Sequence, residues 1–84
     1  MNVRIFVGNL PFSVDEKRLN DEFSRFGKVE TAKIVLDKRT GKSRGYGFVE
    51  FSDQAGADEA IQKMAGQPLD GRPLTVNIAK TQQD

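Results

Sequence analysis

An α+β sandwich is the fold class that this 84-residue sequence predicts: four antiparallel strands with two helices on one face, in the chain order β-α-β-β-α-β. Three observations predict it. Apolar residues alternate in four short stretches, two intervening stretches repeat them at helical spacing, and Gly, Pro, Asn and Asp gather at the joints. A chain of this size can bury roughly 60 to 65% of its unfolded surface, enough for one core. Each helix supplies one apolar stripe to that core, so both must share a side of the sheet. The opposite face is left to water.

The first strand is "VRIFVGNL", in which Ile5 and Val7 share one face while Arg4 and Phe6 share the other; Gly8, Asn9 and Pro11 punctuate its end. Ser13 then precedes Glu16 by a capping-box interval, which predicts a helix start, and Leu19, Phe23 and Phe26 recur on one helical face up to Gly27, expected to close the helix in a left-handed conformation. In "VETAKIVLD" Ala32, Ile34 and Leu36 alternate with Thr31, Lys33 and Val35. The polar "DKRTGKSRG" turns that strand back into "RGYGFVEF" as an antiparallel hairpin. Ser52 and Asp53 are both suited to cap a second helix carrying Ala57, Ala60, Ile61 and Met64. Gly56 in its first turn costs about 1 kcal/mol against alanine, so fraying is expected there. In "PLDGRPLTVNIA" a turn at Asp70 and Gly71 leads to a strand with Leu74, Val76 and Ile78 on one face. Phe23, Phe26, Phe51, Met64 and Leu69 read as core. The whole order is that of a ferredoxin-like sandwich, expected over residues 1–80, with a short polar tail at 81–84.

Composition excludes several function classes. Cysteine and histidine are both absent, removing disulfides, thiolate metal sites and the commonest general base. Thirteen basic and twelve acidic residues leave a net charge of +1, so bulk charge names no partner. Distribution says more: Lys33, Lys38, Arg39, Lys42 and Arg44 face only Asp37 between them, a locally positive stretch. No apolar run approaches the roughly 18 residues of a membrane span. Nor does the N-terminus have a secretory signature, so a soluble location is expected, cytoplasmic or, in a eukaryote, nuclear.

The informative segment is "RGYGFVEF", residues 44 to 51. Strand alternation puts Gly45, Gly47, Val49 and Phe51 on the core face and Arg44, Tyr46, Phe48 and Glu50 on the other. With the first and third strands adjacent at the sheet centre, Phe6, Tyr46 and Phe48 form one aromatic cluster outside the core. A contiguous apolar patch needs a partner, and nucleobases stack on aromatic rings with roughly 1 to 3 kcal/mol each.

These residues resemble the RNA recognition motif. Residues 44–51 match every position of that family's third-strand pattern, and "IFVGNL" at 5–10 resembles its first-strand partner. The resemblance spans nearly the whole chain. It implies base stacking on Phe6 and Tyr46, insertion of Phe48 among sugars and a phosphate contact from Arg44. Asn77 and Lys80 are candidates for base edges; Lys33, Arg39 and Lys42 are candidates for the backbone, with the basic loop leaning over the strand. Asn9 reads as structural, Arg72 as a turn residue and Glu50 as an ion-pair partner of Lys33, while Phe12 is left unassigned between loop plug and contact. The partner implied is single-stranded RNA, or single-stranded DNA, bound without catalysis by a monomer that needs no cofactor, membrane or small-molecule substrate. Other readings fare worse. "TGKS" has Leu36 where a phosphate loop needs glycine, and no nucleophile stands beside a base. Domains of this resemblance also bind peptides, through a helical face or a sheet that has lost its aromatics; the intact rings weigh against that.

Overall fold

The computed structural model describes residues 2–79. Its elements are β1 (Val3–Gly8), α1 (Glu16–Phe23), β2 (Val29–Leu36), β3 (Ser43–Phe51), α2 (Gln54–Met64), β4 (Pro68–Leu69), β5 (Arg72–Pro73) and β6 (Thr75–Ile78). Four strands pair antiparallel in the order β2-β3-β1-β6, and β4 with β5 forms a separate two-stranded hairpin. This is the ferredoxin-like arrangement, with β1 and β3 at its centre. The expected tail at 81–84 lies outside the described residues, as does Lys80.

One core fills the space between the sheet and both helices. Ile5 and Val7 of β1, Val49 and Phe51 of β3 and Val76 of β6 meet Leu19 and Phe23 of α1 and Ala57, Ala60 and Met64 of α2, all buried. Leu69 and Leu74 close its end. Strand periodicity therefore sorts residues as expected along β1 and β3, because both strands are paired on both sides and cannot rotate without moving charges inward.

Several local expectations change. The α1 cap is Asp15, whose carboxylate accepts from the Arg18 amide at 2.9 Å, and not Ser13. Since the helix starts at Glu16, Ser13 is two residues too early, and the Glu16 carboxylate instead accepts from the Ile34 amide on β2 at 3.2 Å. Phe26 lies beyond the end of α1; it is half-buried, edge-on to Phe23 with centroids 6.4 Å apart, and flanks the core instead of filling it. Gly27 does not adopt a positive φ. Its constraint is contact: a Cβ there would stand 3.0 Å from the Gly56 Cα. Gly56 itself is buried and its amide donates to the Asp53 carboxylate at 2.9 Å, so the first turn of α2 is anchored where fraying was expected.

Leu36 and Ile78 also depart from the core face, at 54% and 43% exposure. Pairing of β2 with β3 slips between Ile34, opposite Gly47, and Leu36, opposite Ser43, which carries Leu36 out of line with Ile34. Ile78 is the last residue of a short edge strand. The predicted turn at Asp70 and Gly71 is a two-residue hairpin loop with φ of 51° and 87°, the twist that suits tight antiparallel hairpins. Arg18 ties that loop to α1, reaching Asp70 at 3.0 Å and Glu22 at 3.2 Å.

Candidate functional site

The face of the sheet away from the helices carries the rings. Phe6 stands directly opposite Phe48 across the β1–β3 pair, and Tyr46 is the next outward residue on β3. The Phe6 ring is 5.8 Å from Tyr46 at an interplanar angle of 37°, and 5.9 Å from Phe48 at 67°. All three are half-buried and none belongs to the core cluster. Phe6 meets Tyr46 at a tilt and Phe48 edge-on, both in the favoured range for aromatic pairs. Why glycine alternates with these rings follows from the other face: a Cβ built on Gly47 would overlap the Lys33 carbonyl oxygen. Bare backbone on the inner side lets β3 lie close to β2 while its outer side carries bulk.

Glu50 does not pair with Lys33. Its carboxylate is held by Arg4, through Nε at 3.0 Å and Nη2 at 2.9 Å, with Asn2 Nδ2 at 3.3 Å. Register is the cause. Arg4 lies opposite Glu50, whereas an extra residue at Glu30 sets Thr31 opposite Glu50 and Lys33 opposite Phe48. The Arg4 guanidinium consequently hangs 5.5 Å over the Phe48 ring centroid, a cation–π contact. Arg4, Thr31, Lys33, Phe48 and Glu50 line a cavity of about 190 Å³ beside the rings.

The other expected site residues divide in two. Lys33 is exposed next to Phe48, and Asn77 on β6 is exposed opposite Phe6, so both adjoin the rings. Arg44 is exposed and makes no ion pair or side-chain hydrogen bond among the described residues. Beside it Gly45 has φ of 87°, its amide donating to Ser43 Oγ at 3.0 Å and its carbonyl accepting from Leu10 at 2.8 Å. This kink interrupts strict alternation between Arg44 and Tyr46. Arg39 and Lys42 sit in a turn built on Asp37, whose carboxylate accepts from the amides of Arg39 at 2.8 Å and Thr40 at 3.2 Å. Lys42 borders a second, open groove of about 760 Å³ with Phe12, Val14, Ile34 and Leu36, on the helix side and away from the ring row. Phe12 is 69% exposed at its rim.

Asn9 joins the end of β1 to β5 as expected of a structural residue, and Arg72, expected in the turn, lies in β5 beside it. Asn9, at φ of 60°, donates through Nδ2 to the Pro73 carbonyl at 2.7 Å and accepts from Arg72 at 2.6 Å. What sequence reasoning missed is Arg4. Its signal was available in principle, since it shares the outward set with Phe6, but its partner depended on cross-strand register.

Comparison with known proteins is consistent with this geometry. The family model described as RNA recognition motif matches residues 5–75. The 28 kDa chloroplastic ribonucleoprotein of Nicotiana sylvestris is 49% identical over 92% of this chain and 28% of its own length. The chain belongs to the RNA recognition motif family. Among solved structures, RNA binding protein PG1 superposes with a TM-score of 0.92 at 38% identity, covering 98% of this chain and 99% of that one. The Rna15 RRM solved with bound RNA (GU) gives 0.84 at 29% identity over 93% of this chain and 83% of that one. Curated relatives are longer; the domain spans 24% to 50% of the length of those it matches. Several carry chloroplastic or mitochondrial names, so the cytoplasmic or nuclear expectation receives no support from them. Among the described residues of this RNA recognition motif, no helix is long and apolar enough to cross a membrane and no cluster of His, Cys, Asp and Glu could hold a metal.

Proposed function

We propose that this RNA recognition motif binds a short run of unpaired RNA on its helix-free sheet face, as a monomeric and non-catalytic module. The observation that carries the reading is the three-ring cluster of Phe6, Tyr46 and Phe48, outside the core and within stacking distance of one another. Bases stack on the rings, and every base offers a π face, so stacking supplies affinity with little selectivity. Arg44, Lys33 and Arg39 supply phosphate contacts; their energy comes largely from counterion release. Asn77, opposite Phe6, is within the row to meet a base edge. Arg4 adds to the set, because its guanidinium is held beside Phe48 by Glu50 and presents a flat cation at the end of the row. The RNA bound to the Rna15 domain in its solved structure supports the same class of ligand here.

Titration of the labelled protein with mixed-sequence oligoribonucleotides tests this by nuclear magnetic resonance. The aromatic resonances of Phe6, Tyr46 and Phe48 are expected to shift first and most. Unmoved rings, with shifts confined to α1 or α2, would place nucleic-acid contact on the helical face and end the proposal. Oligodeoxyribonucleotides of the same sequences, run in parallel, measure the contribution of the 2′-hydroxyl.

A further inference from the structure

Gly8 closes β1 on the outer face, two residues beyond Phe6, opposite Tyr46 on β3 and Thr75 on β6. Although it ends a strand on the face without helices, it is buried. The Phe6 ring covers it: a Cβ built on Gly8 would stand 2.7 Å from Cε2 and 2.9 Å from Cζ of Phe6, with the Thr75 Cβ at 3.6 Å. Non-bonded carbons prefer roughly 3.5 to 4.0 Å. The overlap concerns the far edge of the ring, so a side chain at position 8 would push that edge away from the sheet. Backbone geometry makes no such demand, since Gly8 is not among the residues with positive φ. Only the space above its Cα requires glycine.

From this overlap we infer that Gly8 is a positioning residue for nucleic-acid binding: its bare Cα is the seat on which the Phe6 ring rests, and the seat fixes the height and tilt of the ring against Tyr46 and Phe48. The inference rests on the proposed stacking of bases on these rings. Phe6 is the ring common to both close pairs, at 5.8 Å from Tyr46 and 5.9 Å from Phe48. Lifting its edge disturbs both contacts at once, and successive bases then meet platforms at unequal heights.

The test is a double-mutant cycle of Gly8→Ala and Phe6→Ala, read by fluorescence anisotropy with a short, labelled, mixed-sequence oligoribonucleotide. Gly8→Ala is expected to weaken binding about tenfold, the value of roughly one stacking contact, without altering the salt slope. In the Phe6→Ala background the same substitution is expected to change affinity by less than about twofold, because no ring remains to be lifted. Aromatic resonances of Phe6 in the free Gly8→Ala protein should also move. Wild-type affinity in Gly8→Ala, or an equal loss in both backgrounds, overturns the inference. Wild-type affinity in Phe6→Ala overturns the stacking reading itself, and this inference with it. Should Gly8→Ala fail to fold, the double variant folds if ring overlap is the cause; a double variant that also fails overturns the seat.

Discussion

Tyr46 and Phe48 stand on the face that no helix covers, each in contact with Phe6, and their half-burial is mutual. Truncating both to alanine removes stacking surface, with an expected loss of roughly 1 to 3 kcal/mol of RNA affinity for each base that loses its ring. The same change costs stability too, but less than the 3 to 5 kcal/mol of deleting a buried phenylalanine. About 1 kcal/mol is expected, a fall of some 4 to 8 °C in Tm for a domain of this size. Calorimetric titration beside a thermal melt separates the two effects; loss of folding would mean that the rings belong to the core. Arg44 is a different kind of residue, exposed beside the Gly45 kink and unpaired among the described residues. Replacing it with alanine is expected to weaken all RNA sequences alike and to flatten the salt slope by about 0.7, one single-strand phosphate contact. Anisotropy titrations at several salt concentrations, repeated on two unrelated sequences, read this directly. A change in preference between the sequences would instead assign Arg44 to a base.

At the scale of elements, α2 depends on a close approach that its own sequence does not announce. Glycine in a helix ordinarily lowers stability by about 1 kcal/mol relative to alanine. Here a Cβ on Gly56 would meet the Phe51 ring at 3.1 Å and the Phe26 carbonyl oxygen at 3.2 Å, with Gly27 packed alongside. Gly56→Ala is therefore expected to destabilise the domain, by the roughly 1 to 3 kcal/mol typical of an overpacked core. Urea denaturation checks it, and a stabilised variant would show that the helix can shift at no cost. The contrast explains how much could be read from the chain in advance. Apolar alternation in β1 and β3 and the stripes Leu19–Phe23 and Ala57–Ala60–Met64 are local patterns, so the core and the ring row were legible. The bulge at Glu30, the slip before Leu36 and the Gly27–Gly56 contact depend on residues distant in sequence. For that reason the partner of Glu50 is Arg4 and not the expected Lys33, and Leu36 does not share the buried side of Ile34 although it alternates in step with it. Caps suffer similarly: Ser13, Asp15, Ser52 and Asp53 are all suitable residue types, and tertiary packing chooses Asp15 and Asp53.

For the whole molecule, charge balance sets how binding responds to solution conditions. With no histidine or cysteine, no side chain has its ordinary titration between about pH 6 and 7.5, so RNA affinity is expected to stay level across that window in buffered titrations. Asp70, then Glu22, hold the Arg18 guanidinium above its already alkaline ordinary value. A raised folded-state value stabilises below the unfolded one and is lost only as pH rises through it, far above any working condition. Salt acts differently. The net charge of +1 gives no long-range attraction worth screening, so salt dependence must come from individual phosphate contacts. Roughly two to four contacts on a single strand, each contributing a slope near 0.7, give an expected loss of about 7- to 50-fold in affinity between 50 and 200 mM salt. Anisotropy titrations across that range test it. An affinity that changes by less than about twofold would mean that no phosphates are engaged and that the basic stretch from Lys33 to Arg44 is a solvated surface. A peptide held by apolar contacts would give that flat response, because burial of apolar surface releases no condensed counterions.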